Sequence, residues 1–415
     1  MPAATAARPR SRSGVLAPGA TTRRTRVAMV TTHPIQYQVP WLQRLAARDG
    51  VELHVFFAMI PDSTEQGREF GVAFDWDIPL LEGYPYTVME NIAAEPSLTR
   101  FGGCDTPQIY GEIRRGRFDA VIVNGWVVKT CLQALAACKL TGTPCIVRGE
   151  VNGLSRRAWW KRWLHARLLA RYAACLDIGT NNRRYLAAAG VPAGKIFHTP
   201  YCIDNARFSR LADAARGSVA RAELRARFGL EADRTTFLFS GKFVGKKRPG
   251  DIVEAIRRMG EAERERVQVL MVGDGPLGDE LRSAANGLPI RFAGFLNQSE
   301  IPAAYAACDA LLLPSDSGET WGLVVNEAMA CGLPALVSDQ VGCAADLVVP
   351  GLTGEVFGCG DVNALSALLG RYGGECDKLA AMGEQARHRV ATGYTFDLVV
   401  RGVLDALRSV TGRDA

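Results

Sequence analysis

A chain of 415 residues with 48% hydrophobic and 22% charged residues can bury large cores and has the length of about two domains, which excludes global disorder. Its formal net charge of +6 sits in one place: Arg8, Arg10, Arg12, Arg23, Arg24 and Arg26 fall in the first 26 residues, which hold no acid. The rest of the chain is neutral, which argues against a nucleic-acid partner for the body of the protein.

Taken in chain order, residues 1–24 are rich in Ala, Pro, Ser, Thr and Gly and lack apolar periodicity. Such a segment cannot offset its ordering entropy, so a disordered basic arm is expected. The arm has no apolar h-region of roughly 7–15 residues, and no stretch of the chain reaches the roughly 18 uninterrupted apolar residues of a membrane span. A cytoplasmic protein is the expectation. Short Val- and Ile-rich runs then alternate with helical patterns, at 25–31, 51–57, 119–123, 144–147 and 175–178. A second series follows at 235–239, 267–272, 290–293, 310–313 and 334–337.

Buried strands alternating with helices build parallel βαβ units, so the fold class is α/β, with two Rossmann-like doubly wound domains facing across a cleft. Turn signals at Pro200, Asp204 and Asn205 put the boundary near 208. This divides the chain into 25–208, 209–390 and a terminal segment 391–415. That last segment is apolar at 396, 399, 400, 403, 404 and 407, a helical spacing, and has room to cross back to the first domain. The 11 cysteines, from Cys104 to Cys376, show no Cys-x-x-Cys pair and no zinc-type Cys/His spacing. They read as small buried apolar residues, without structural metal or a disulfide framework.

In an open α/β sheet the chemistry belongs in loops after strands. The strongest such loop runs Ser317-Gly318-Glu319-Thr320-Trp321-Gly322 into a helix carrying Leu323, Val324 and Glu327. The free N–H groups of Gly322, Leu323 and Val324 open that helix at its positive end, which suits phosphate, and glycine at 322 is expected to let a ligand approach the backbone. Glu319 and Glu327 stand eight positions apart, about the span of a ribose and a hexose on one wall. A second loop, Gly241-Lys242-Phe243-Val244-Gly245-Lys246-Lys247-Arg248, clusters cations where an anionic leaving group would want fixed charge. Lys242 and Lys247 are the candidates, with Lys246 and Arg248 expected to face water.

With Gly273-Asp274-Gly275-Pro276 and the segment from Gly294-Phe295 to Pro314-Ser315, these loops resemble the retaining GT-B glycosyltransferases of family four. This is the glycosyl transferases group 1, glycogen-synthase-like and mannosyltransferase-like. The resemblance covers nearly the whole chain after the arm and rests first on the Glu-(seven residues)-Glu pattern of Glu319 and Glu327. It implies a nucleotide diphosphate sugar donor, UDP- or GDP-linked, with no metal and no further cofactor. The donor would be held mainly by Gly241, Lys242, Lys247, Gly273, Phe295, Gly322, Leu323, Val324 and Glu327 of the second domain. The lysines would meet the diphosphate, Glu327 the ribose and Glu319 the transferred sugar. The acceptor implied is a glycan, a lipid-linked or a small-molecule hydroxyl, in polysaccharide or lipid-linked glycan assembly.

Three departures qualify this. Lys242 stands where the family has Arg, which keeps the charge and loses the two-pronged grip. The first domain has Thr31-Thr32-His33-Pro34 in place of a Gly-rich loop, and Asn124-Gly125-Trp126 where many members carry a cleft histidine. His33 and Glu150 are therefore candidates for contact with sugar or acceptor, against the plainer readings of a structural histidine and of a Glu150 ion pair with Arg148 or Arg156.

Asp75-Trp76-Asp77 has the form of a metal-holding Asp-x-Asp but lies outside any phosphate loop, so no metal role is expected. The basic aromatic run 159–169 is expected to pack against the first domain, since at about 100° per residue Arg167 falls inside the aromatic arc; peripheral contact with the inner face of a membrane is the alternative. The rival functions are a nucleotide-sugar epimerase or hydrolase, a catalytically silent binding protein, and a nucleic-acid binder acting through the arm. NAD binding is a poor fit, because no acidic residue completes the glycine loop at 273–275.

Overall fold

The computed structural model describes residues 23–413, apart from residues 69 and 220. The arm expected up to residue 24 thus lies, as far as residue 22, outside the described residues. The first sheet is built from β1 (Thr25–Thr31), β2 (Val51–Phe57), β3 (Tyr86–Val88), β4 (Ala120–Asn124), β5 (Cys145–Arg148), β6 (Ala174–Asp177) and β7 (Ile196–His198). The second contains β8 (Thr235–Ser240), β9 (Val267–Val272), β10 (Ile290–Gly294), β11 (Ala310–Leu313), β12 (Ala335–Ser338) and β13 (Gly354–Phe357). Their orders are β3-β2-β1-β4-β5-β6-β7 and β10-β9-β8-β11-β12-β13, and the pairs are parallel.

Strands flanked on both edges and covered on both faces must be apolar throughout, as Val27 to Val30 are between β2 and β4. Strand order reverses at β1/β4 in the first sheet and at β8/β11 in the second, and at such switch points the loops diverge and leave a crevice. The two crevices meet in one cleft.

The chain passes between the domains at 199–204, and the helix Asn205–Ser218, capped by the Asp204 carboxylate, straddles position 208 and packs on the second-domain helices Ile301–Ala307 and Leu323–Ala330. After the helix Cys376–Gly393, the final helix Phe396–Thr411 returns to the first sheet. Its Phe396, Val399, Val403 and Leu407 share a core with Val27, Met29 and Trp41. All 11 cysteines are free, and nine of them are buried. Among the described residues, no helix is long and apolar enough to cross a membrane.

Candidate active site

Three glycine-bearing loops of the second domain lie side by side at the mouth of its switch point. Gly241 after β8 donates its N–H to the Val272 carbonyl at 3.0 Å, and Gly273 after β9 donates to the Gly294 carbonyl at 2.8 Å. The loops touch so closely that a Cβ on Gly273, already at φ +118°, would lie 2.1 Å from the Gly241 oxygen. Only glycine fits there. The fourth loop, after β11, leads through Gly322 at φ +99° into the helix Leu323–Ala330, whose first N–H groups have no partner inside the helix. Gly322 lines the cavity, and its positive φ and close packing both call for glycine: a Cβ there would meet Leu313 and Val341 at 3.0 and 3.1 Å.

These loops border a cavity of about 520 Å³ that reaches the first domain, and Glu319, Lys247 and Glu327 are in its wall with Gly241, Gly273 and Leu323. Lys247 forms an ion pair with Glu319, both side chains being largely buried. Glu327 lies deeper, accepts a hydrogen bond from the Tyr305 hydroxyl at 2.8 Å, and is pushed up to about 7 by burial. Lys242 is outside the cavity wall, with its ammonium 5.0 Å from the centre of the Phe70 ring. Lys246 is exposed. Arg248, expected to face water, instead grips Asp251 through two nitrogens at 2.7 and 3.1 Å.

From the first domain, Glu150 stands half-buried in the cavity wall. It accepts hydrogen bonds from the Tyr201 hydroxyl and, at 3.2 Å, from the Thr320 hydroxyl next to Glu319. Its carboxyl is raised above the ordinary range, chiefly by burial and against the pull of Arg148. The alternative reading of Glu150, an ion pair with Arg148 or Arg156, is not seen among its hydrogen-bonding partners; the Arg148 guanidinium lies on the Tyr201 ring, 4.4 Å from its centre. His33 lies outside the cavity wall, is hydrogen-bonded to the Thr32 hydroxyl at 2.8 Å, and is lowered to about 4 by burial.

Sequence reading missed an aromatic wall contributed by the first domain. Phe70 and Trp76 line the cavity together with Phe295, Phe70 meeting Phe295 edge-on at 5.1 Å, and Phe74 lies against Phe295 with centroids 4.3 Å apart. Asp75 and Asp77, the Asp-x-Asp pair, hold this segment to the second domain: Asn297 donates to the Asp75 carbonyl at 2.8 Å, and the Ser299 N–H donates to the Asp77 carboxylate at 2.9 Å. Among the described residues, no group of three or more His, Cys, Asp or Glu side chains is arranged to hold a metal.

The expected packing of the basic aromatic run needs correction. It forms the helix Trp159–Leu169, but only Leu169 is buried, while Trp159 is 78% exposed and Trp160, Trp163 and Leu164 are each more than half exposed. Arg167 does share the aromatic face, stacking 4.8 Å from the Trp163 ring centre; the shared face points outward.

A family model described as Glycosyl transferases group 1 matches residues 220–389, the stretch that holds β8 to β13 and the four loops. The second domain of this chain thus resembles that family over the matched residues. A GDP-mannose-dependent alpha-(1-6)-phosphatidylinositol monomannoside mannosyltransferase of Mycolicibacterium smegmatis is 30% identical over 237 residues, 53% of this chain and 59% of the relative. A D-inositol 3-phosphate glycosyltransferase of Gordonia bronchialis is 31% identical over 206 residues, 46% of this chain and 44% of the relative. The matched stretch thus spans about half the length of these curated relatives.

Anabaena HepE, solved in complex with UDP and glucose, superposes with a TM-score of 0.69 at 17% identity, over 93% of this chain and all (100%) of that one. Sucrose-phosphate synthase from Thermosynechococcus elongatus gives 0.67 at 19%, over 92% and 97%. At these identities the likeness establishes the fold, which is the GT-B architecture of two Rossmann-like domains.

Proposed function

We propose that this chain moves a hexosyl group from a UDP- or GDP-linked sugar to an acceptor hydroxyl with retention of anomeric configuration. The observation that carries this reading is the convergence of Lys247, the N-terminus of the helix Leu323–Ala330, Gly241 and Gly273 on one wall of a cavity that also presents Glu319 and Glu327. A diphosphate fits where fixed positive charge meets bare backbone. The cavity, about 520 Å³, is of ligand size.

In the reaction, the bond from the anomeric carbon to the diphosphate oxygen breaks and the acceptor oxygen bonds that carbon on the same face. The acceptor proton passes to the departing diphosphate oxygen. Lys247 and the helix N-terminus stabilise the charge gathering on that oxygen, so the step calls for no metal. Glu319 faces the sugar as it becomes cationic, and Glu327 holds the ribose hydroxyls. Glu150, fixed by Tyr201 and Thr320, is set to orient the acceptor hydroxyl. His33, half-buried and neutral at pH 7, supports the loop after β1.

The acceptor in this reading is a glycan or a lipid-linked hydroxyl reached from a membrane's inner face. The exposed Trp159, Trp160 and Trp163, interleaved with Lys161, Arg162 and Arg167, support peripheral attachment to an anionic bilayer.

A thermal-shift panel of UDP- and GDP-sugars tests the donor. At 100 times its dissociation constant, the right one adds about 2.7 kcal/mol of stability. Acceptor-dependent transfer then separates this reading from its rivals: sugar released without acceptor means a hydrolase, an altered sugar on the nucleotide means an epimerase, and binding without turnover means a silent protein.

A further inference from the structure

The segment 70–77 lies between the helix Ser63–Gly67 and β3 of the first domain, is bonded to that helix by Phe70 and Phe74 N–H groups, and reaches across to the second domain. Phe74, nearly buried, backs Phe295, while Phe70 and Trp76 present their rings to the cavity. The Asp77 carboxylate is held by both the N–H and the hydroxyl of Ser299. These bonds fasten one end of the turn that carries Phe295 and leads into the helix Ile301–Ala307.

That turn is where the far end of a nucleoside diphosphate would reach. With the diphosphate at Gly241, Gly273 and Lys247 and the ribose at Glu327, the base must lie beyond Glu327. Glu327 is bonded to Tyr305 of the helix Ile301–Ala307. Arg207, whose charge acts on Glu327, donates to the Gln298 carbonyl at 2.8 Å, in the same turn as Phe295. The ribose position is thus one residue layer from the aromatic wall. A planar base offers a π-face whatever its identity, and aromatic rings stack on it without reading its edges.

We propose that residues 70–77 form a clasp by which the first domain completes the nucleobase end of the donor site: Phe70 and Trp76 supply, with Phe295, the surface on which the base stacks, and the Asp77–Ser299 bonds hold that surface in place. The inference rests on the donor reading above and adds a first-domain contribution to it. The clasp favours neither purine nor pyrimidine. It also places Phe70 under the Lys242 ammonium, 5.0 Å from the ring centre.

Calorimetric titration of the full chain with UDP, GDP and inorganic pyrophosphate tests this, because pyrophosphate has no base to stack. In the Phe70→Ala/Trp76→Ala pair, both nucleotides should bind about tenfold more weakly and pyrophosphate within about twofold of the parent. Asp77→Ala should weaken the nucleotides in the same sense, and Asp77→Asn, whose amide oxygen still accepts from Ser299, should restore them. Unchanged nucleotide binding in a folded pair, or an equal loss of nucleotides and pyrophosphate, overturns the clasp. If the pair does not fold, Asp77→Ala is read in its place, and unchanged nucleotide binding there overturns it equally. A parent that binds none of the three probes refutes the donor reading itself, before any variant is made.

Discussion

Lys247 and Glu319 neutralise each other inside the cavity wall, and a bound diphosphate would draw the lysine's charge to itself. Lys247→Ala should therefore lower turnover by about 10²–10³, and Glu319→Ala should act on turnover more than on the donor Michaelis constant. Full kinetics of both variants, with and without EDTA, check this, and unchanged constants in either would end the assignment.

Glu327 gives a pH signature. Burial raises its carboxyl from 4.5 to about 7, so across that window the folded protein holds a proton that the unfolded chain has released. Stability from this group must then fall as pH rises through the window and level off above it, by up to roughly 3 kcal/mol. A melting series should show that slope in the parent and lose it in Glu327→Gln; a parallel slope in the variant would assign it elsewhere. Where Glu327 must be ionised to accept ribose hydroxyls, donor affinity should improve as pH rises through about 7.

The two glutamates were legible because their spacing along one loop and helix is local, and Lys247 because it stands in its own cation-rich loop after β8. Tyr305 under Glu327 and Tyr201 on Glu150 were not, since each pair joins positions 22 and 51 residues apart that only the folded topology brings together.

At the level of elements, ten strands were readable as Val- and Ile-rich runs, because central parallel strands are buried on both faces. The three that escaped, β3, β7 and β13, are short, of three, three and four residues, and stand at or beside sheet edges, where half the burial that creates the pattern is missing. The helix Trp159–Leu169 was found at its full length but assigned the wrong surroundings. Arg167 on the aromatic arc argues for a mixed face, and a mixed face does not reveal whether its neighbour is protein or a charged interface. Replacing Trp159 and Trp163 by Ser should abolish co-sedimentation with phosphatidylglycerol vesicles at low salt and leave the melting temperature within about 2 °C, since neither ring is buried. A parent that fails to bind such vesicles, or a variant that unfolds, removes the membrane reading.

For the whole molecule, the two domains are joined in two further ways beside the contacts of segment 70–77. One is built in: the chain crosses at 199–204 and returns through the helix Phe396–Thr411, whose apolar face is buried in the first domain's core. The other consists of hydrogen bonds across the cleft, from loops after first-domain strands to loops of the second. Asn152 donates to the Thr320 carbonyl at 3.0 Å and Ser155 to the Ser317 carbonyl at 2.9 Å. The Asp346 carboxylate accepts from both the N–H and the hydroxyl of Thr180, at 3.0 and 2.8 Å.

The first connection cannot open without exposing core, whereas the second can exchange its partners for water. The cleft bonds, with the contacts of segment 70–77, therefore set how far the domains stand apart, and those from Asn152 and Ser155 meet the loop that carries Glu319. Asp346→Ala removes two hydrogen bonds to a charged acceptor, worth about 2 kcal/mol together after solvation, or a shift of roughly 30-fold toward an open arrangement. The variant should stay folded, show a larger radius of gyration by small-angle scattering, and turn over more slowly. It should also release more free sugar per transfer, because an opened cleft admits water. An unchanged radius together with an unchanged ratio of hydrolysis to transfer would mean that Asp346 holds only its own helix, and that closure is governed elsewhere.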